Sequence, residues 1–225
     1  KEDISVGESM TDIILVGTGG CMRELAWQIM ESNKVHNKWN IVGYVDNMPI
    51  NDNSRVKVAD TEIRYLGNDD YILNANEDIN VVISVGNPKL RRRISDSYKV
   101  NPHVKFPNLI LENAAVCQDF VMGQGCIVSM NAKISTNVRL GDFVFINMDA
   151  TICHDGQLGS FVSVNPGAKL AGAVKIGAET EIGMGADIIQ GTKVGSRVVI
   201  GAGCVVIDDP EDECTMVGVP ARKVR

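Results

Sequence analysis

Residues 146–164 read INMDATICHDGQLGSFVSV, which places Ile146, Ile152, Leu158 and Val164 at a spacing of six. Carried outward in both directions, the spacing meets an aliphatic residue at seventeen successive positions from Ile110 to Val206. At an aliphatic frequency of about one third, chance would produce such a run with odds on the order of one in a hundred million, so the period is structural. Small residues such as Ala132, Ala150, Ala168 and Ala186 recur two places before the aliphatic position. Gly123, Gly141, Gly159, Gly177 and Gly195 follow it directly, at intervals of eighteen. Three hexads therefore make one coil of a three-sided prism. Each side is a short strand, the aliphatic side chain points inward, and Gly is expected to supply corner conformations that a Cβ would oppose. The run amounts to roughly five coils, each buried against the next. A β-sandwich would instead alternate with period two.

The prism accounts for the composition. Of 225 residues, 44% are hydrophobic but only 5% aromatic, and 22 are Gly. The core is therefore built from Val, Ile, Leu, Met and Ala. A balance of 22 basic against 28 acidic residues gives a net charge of −6, which repels a polyanion and argues against nucleic acid as a partner. No apolar run approaches the roughly 18 residues of a membrane span, so no membrane partner is expected. The six cysteines include no Cys-x-x-Cys pair, and the three histidines lie outside zinc-ligand spacing. Free, mostly buried thiols and no metal are expected. The acidic stretch 208–213 reads as a solvated loop.

Ahead of the prism the pattern changes. Ile13-Ile14-Leu15-Val16 runs into Gly17-Thr18-Gly19-Gly20, and then into a helix with Leu25, Ala26, Ile29 and Met30 on one face. Such a turn brings backbone N–H groups to a phosphate at the positive helix end, although a full dinucleotide motif would carry Gly where this chain has Met22. Further strands are expected at 41–45, 63–66 and 81–85, followed by a helix opened by Pro88 with Asn87 as its cap and Leu90, Ile94 and Tyr98 on one face. About four strands make half of a doubly wound fold, suited to one nucleotide rather than NAD. Asp46 at a strand end can accept from a ribose or base. Lys89 and Arg91 can offset phosphate charge or lie in solvent. Residues 101–107 have the composition of a linker. The expected organisation is an extension over 1–11, native or added, a half-Rossmann α/β domain over 12–105, and an all-β prism over 106–225.

Three features together carry a resemblance: the hexads, the closing Val217-Gly218-Val219-Pro220-Ala221-Arg222, and the phrases Gly17-Thr18-Gly19-Gly20 with Arg23-Glu24, Gly43-Tyr44-Val45-Asp46, Val85-Gly86-Asn87 and Ile152-Cys153-His154-Asp155. Over residues 12–225 the chain resembles the sialic acid O-acetyltransferase type of the left-handed parallel β-helix (hexapeptide-repeat) acyltransferases. That group also contains N-acetyltransferases of nucleotide-linked amino-deoxy sugars. The resemblance implies a left-handed prism, acetyl-CoA as cosubstrate, a nucleotide-linked sugar or sialic acid as substrate, a homotrimer with its site between neighbouring prisms, and a cytoplasmic location.

It also implies residue roles. His154 falls where the family has its general base, with Asp155 beside it, and the Gly172 N–H falls where the oxyanion is held. Ser163, Met184 and Ala202 match positions lining the acetyl-CoA cleft. Gly19, Gly20, Cys21, Asp46, Asn47, Gly86 and Lys89 match positions holding the nucleotide-sugar. Relatives often carry His and Gly where this chain has Cys21 and Met22, and a second His in place of Ser163. Independently of the family, a His followed by a carboxylate suits acyl transfer, because the carboxylate fixes the ring tautomer and raises the basicity of the other nitrogen. Cys153 is expected to face inward and be inert. N-acetylation of a nucleotide-linked amino-deoxy sugar, O-acetylation of sialic acid or another sugar hydroxyl, and a non-catalytic scaffold remain as alternatives.

Overall fold

The computed structural model of the chain describes residues 10–47 and 55–225. The first nine residues of the expected extension lie outside the described residues. The described residues divide into two compact units, one formed by residues 10–47, 55–84 and 101–105, the other by residues 85–100 and 106–225.

In the first unit β1 (Thr11–Val16), α1 (Gly20–His36) and β2 (Trp39–Val45) are followed by β3 (Arg55–Val58), β4 (Thr61–Gly67), α2 (Asp70–Leu73), β5 (Ile79–Ile83) and β6 (Val104–Lys105). The strands form one sheet in the order β3-β4-β2-β1-β5-β6. β3 runs antiparallel to β4, and the other pairings are parallel. β1 is buried from Ile13 to Val16, as a strand covered on both faces must be. Met22 is fully buried on the sheet-facing side of α1 with Leu25, Ala26 and Ile29, so helix packing uses its side chain where a dinucleotide motif would have Gly. The stretch expected as a linker is structured. β6 extends the sheet beside β5, and the Asn101 amide donates to the carbonyls of Ile72, Leu73 and Ala75. The order reverses at β1, whose neighbours are β2 and β5, which makes its carboxyl end the topological switch point.

The second unit contains α3 (Pro88–Tyr98) and the prism. From Leu109 to Val206 the two-residue strands pair in parallel at intervals of eighteen, as Ile134 does with Ile152 and Ile152 with Leu170. The three faces hold eight, six and five strands. The first face contains Ser163–Val164, the second Thr151–Ile152 and the third Gln157–Leu158. Inward residues from Val128 to Val206 are at most 5% exposed. The first coil has a neighbour on one side only, so Val116 and Met122 are half-buried and Ile110 is 40% exposed.

The corners correct the expectation about glycine. Gly123, Gly141, Gly159, Gly177 and Gly195 do not adopt positive φ. They are required by close approach instead. A Cβ on Gly141 would stand 2.5 Å from Ser160 N of the next coil, and one on Gly159 2.8 Å from Ala178 N. The left-handed residue falls three places after the inward aliphatic, and is Asn131, Asn137, Asp149 and Asp155 in successive or nearby hexads, where polar side chains tolerate that region. Phe143 and Phe161 also take it, at φ 54 and 63, and their rings stack with centroids 5.2 Å apart. Phe106 meets Phe143 edge-on at 5.0 Å, and Lys99 Nζ sits 4.9 Å from the Phe143 ring centroid.

α3 presents a different face from the one its apolar residues suggested. Pro88, Arg91, Ser95 and Tyr98 are buried, whereas Leu90 is 40% exposed. Arg91, expected to meet phosphate or solvent, is 1% exposed. Its guanidinium donates to the carbonyls of Phe143, Val85, Gly86, Phe161 and Val162 and to Ser163 Oγ, at 2.8–3.2 Å. Asn87 caps the helix as expected, accepting from Leu90 N. Of the cysteines, Cys126, Cys204 and Cys214 are buried and Cys117 is exposed, and burial pushes the Cys126 thiol up to about 11. Arg91→Met keeps much of the volume but removes the guanidinium donor from every one of those acceptors, leaving only Val162 O with Phe145 N and Gly86 O with the Ser163 hydroxyl. It should cost about 3–5 kcal/mol in urea unfolding; a loss below about 1 kcal/mol would mean that water replaces the guanidinium.

Candidate active site

His154 stands on the corner between the second and third faces, directly after Ile152 and Cys153. Its side chain is half exposed, and Nδ1 lies 2.8 Å from Asp155 Oδ2. Asp155 is the left-handed residue of its hexad, at φ 61, so the corner turn itself brings its carboxylate back to the preceding side chain. Asn137, eighteen residues earlier, donates from Nδ2 to the other carboxylate oxygen at 2.7 Å. Its own N–H donates to Asp119 Oδ2, another eighteen back. Hydrogen bonds from His154 and Asn137 hold the Asp155 carboxyl below its usual range. A lowered carboxyl pKa means that the contact is intact above the ordinary carboxylate value and is lost as pH falls through the lowered one.

With Asp155 accepting from Nδ1–H, the ring's Nε2 is left with a lone pair. Gly172 lies one coil further on, against that side of the ring. A Cβ built on Gly172 would collide with Cε1 and Nε2 of His154. The flanking groups are engaged, since Ala173 N donates to His154 O and Gly191 N to Gly172 O. The Gly172 N–H takes no acceptor among the described residues. A basic nitrogen and an available backbone donor therefore stand side by side, the pair that acyl transfer needs for a proton and an oxyanion. Cys153, expected to face inward, is half-buried; Ile152 fills the interior instead.

The other residues singled out in the sequence are placed as follows. Met184 is 61% exposed and Ala202 is exposed on the next coil, both on the corner between the first and second faces, where Gly203 N donates to Met184 O. Ser163 is 2% exposed; its hydroxyl accepts from Arg91 and donates to Gly86 O at 2.7 Å. Lys89 is exposed in the first turn of α3.

Gly19 and Gly20 open α1 in the first unit without any side-chain cap, and a Cβ on either would meet nothing within 4 Å, nor would one on Gly86 in the second unit. The protein's own packing does not demand glycine there, so the bare backbone leaves room for a ligand. Gly17 differs, since its φ of 106 requires glycine. Cys21 is half-buried. Asp46 accepts from Thr18 Oγ1 at 2.8 Å, and Asn47 bonds Asp69 through both ends of its amide. Among the described residues no His, Cys, Asp and Glu gather into a group able to hold a metal, and no helix is long and apolar enough to cross a membrane. Sequence reading missed Asn137 and misread Arg91. The eighteen-residue offset from Asp155 could have found the first; no local signal marks the second.

Residues 12–98 match the family described as the PglD N-terminal domain, and residues 173–208 match the bacterial transferase hexapeptide (six repeats). Among solved structures the chain is similar to the acetyltransferase domain of PglB from Neisseria gonorrhoeae FA1090 in complex with acetyl coenzyme A. The two share 30% identity over 96% of this chain and 100% of that one, with a TM-score of 0.81. A mutant of perosamine N-acetyltransferase from Caulobacter crescentus, in complex with CoA and GDP-perosamine, is 25% identical over 94% and 96% of the two chains, with a TM-score of 0.82. WeeI from Acinetobacter baumannii AYE, 20% identical with a TM-score of 0.73 over 96% and 100%, shares the fold. Curated protein sequences contain no match. Gly172→Ala should push the His154 imidazole off its position with little change in melting temperature. The His154 ring resonances in NMR check this, and unchanged shifts would show that the ring is not held against Gly172.

Proposed function

Since the chain belongs to the left-handed β-helix (hexapeptide-repeat) acetyltransferases that act on nucleotide sugars, we propose that it moves an acetyl group from acetyl-CoA to the amino group of a nucleotide-linked amino-deoxy sugar. The observation that carries the reading is His154, held by Asp155 through Nδ1 with its other edge against Gly172. The acceptor amine attacks the thioester carbonyl carbon while His154 Nε2 takes its proton. Negative charge moves to the carbonyl oxygen, where the Gly172 N–H donates to it. The intermediate collapses, the C–S bond breaks, and CoA thiolate leaves, taking the proton from the imidazolium. The amide and CoA thiol are the products. Asp155 keeps the tautomer and steadies the imidazolium, and no acyl-enzyme forms.

Acetyl-CoA meets Met184 and Ala202 as well as Gly172 in this reading. The two sets stand on different corners of one prism, which fits a cleft completed by a neighbouring copy and supports a homotrimer. The nucleotide end of the acceptor is held by the backbone of Gly19, Gly20 and Cys21 at the start of α1, with Asp46 and Asn47 toward its ribose or base. Ser163 serves by fixing Gly86 rather than by facing solvent. The reaction is placed in the cytoplasm, where acetyl-CoA is available.

His154→Ala should lower turnover by about 10³-fold while leaving the melting temperature within about 2 °C, and Asp155→Asn by about 10²-fold. Near-normal turnover in His154→Ala would overturn the base assignment. Thiol release from acetyl-CoA against UDP- and GDP-linked amino sugars, free sialic acid and neutral sugars separates the amine from the hydroxyl acceptor. Silence with all of them, and no CoA binding, would indicate a scaffold. Light scattering at micromolar concentration should give three times the chain mass of 24.3 kDa; a monomer would count against the shared cleft.

A further inference from the structure

The third face carries a feature that the chemistry at His154 does not use. Its outward positions on four successive coils are Arg139, Gln157, Lys175 and Lys193, each paired in register with the next. At about 4.8 Å per coil they form a row roughly 14 Å long. The row lines a shallow groove of about 520 Å³. Gly141, Gly159 and Gly177, one place beyond each inward residue, leave one flank of it as bare backbone.

Three cations in a row are unexpected in a chain of net charge −6. Like charges directly opposite each other on a sheet are destabilising, and Lys175 lies opposite Lys193. Several exposed cations elsewhere on the prism find carboxylates, as Lys169 does Asp187 and Arg197 does Glu213. Among the described residues Arg139, Lys175 and Lys193 have no ion pair. The carboxylates on the bordering corners are engaged: Asp142 accepts from Gln124 N, Asp155 from His154 and Asn137, and Glu179 pairs with Arg92. Beyond the last rung, Asp209 accepts from the backbone of Lys193 and Asp212 from that of Ser196. The row is therefore a set of uncompensated positive charges along an open trough.

The trough borders the active corner. His154, Asp155 and Gly156 lead straight into Gln157, so the rungs lie from one coil before His154 to two coils after it. We infer that this face is a binding site for the phosphates of a nucleotide, with Arg139, Lys175 and Lys193 neutralising them and Gln157 donating between. The inference rests on the proposed reaction, which supplies two such ligands: CoA, with a pyrophosphate and a 3′-phosphate at the far end from its thioester, and the nucleoside diphosphate of the acceptor. Cations spaced along the prism axis match several phosphates better than one, and guanidinium and ammonium groups bind them by charge-assisted hydrogen bonds.

The test is calorimetric titration of the full chain and its Lys175→Gln/Lys193→Gln variant with CoA, dephospho-CoA, UDP and GDP. The expected result is a rise of about tenfold in the Kd of CoA, a smaller rise for dephospho-CoA, and a wild-type affinity that weakens with added salt. Lys133→Gln, which removes a charge from the second face, should leave all four affinities unchanged. Loss confined to UDP or GDP would assign the trough to the acceptor's nucleotide, still a phosphate site. Unchanged affinities for all four ligands would overturn the inference, as would a variant that no longer assembles like the wild type, since the row would then be a contact between copies. Failure of the wild type itself to bind CoA would strike the proposed reaction rather than the assignment of this face.

Discussion

A prism coil closes only if the chain turns a corner every six residues while the next coil lies one strand spacing away. These are two separate demands on the backbone, and two separate positions meet them. One residue per hexad enters the left-handed region, mostly Asn, Asp or Gly, and a different residue, often Gly, gives way to the neighbouring coil's amide. Where an aromatic takes the left-handed place, as Phe143 and Phe161 do, ring stacking offsets a conformational cost of about 1 kcal/mol each. The same corners turn the carbonyls of residues 143 and 161 toward Arg91, whose guanidinium collects them.

The active corner follows from this geometry. Asp155 holds His154 because the left-handed turn at Asp155 reverses the chain just after the imidazole, and Asn137 steadies the carboxylate because it occupies the same corner one coil earlier. Gly172 is adjacent because it is one coil later. Four groups separated by up to 35 residues meet with no loop to order, so the site is held as rigidly as the stack. His154 and Asp155 both remain half exposed on the outer side of the prism.

Much of this was legible from the period alone. Six-residue spacing fixes which side chains point inward, and eighteen-residue spacing fixes vertical neighbours, so the stacking of Gly172 on His154 was readable from their numbers. The role of glycine was not, because a residue before a corner and a residue at it look alike in a repeat. Arg91 was misread because its hydrogen-bond partners lie as far away as Ser163, and a cation near a glycine turn has the same local sequence whether it meets phosphate or carbonyls. The linker over 101–107 failed for a related reason: β6 is two residues long and joins its sheet through partners at Ile79 and Asn80, which no local pattern reports. The His154-Asp155 pair suggested chemistry by residue type, but its reading as a base came from the family likeness.

Stacked parallel coils also end in rows of unpaired amides and carbonyls, and such edges recruit further strands from any chain that offers them. After Thr215–Val217 the chain reverses, and Arg222–Lys223 pairs with that strand in the antiparallel sense, presenting two exposed cations where the next coil would have begun. A parallel coil arriving there would meet the wrong strand direction, beside cations already paired with Asp208 and Glu211. On that face the reversal leaves an edge whose strand direction a further parallel strand would not continue.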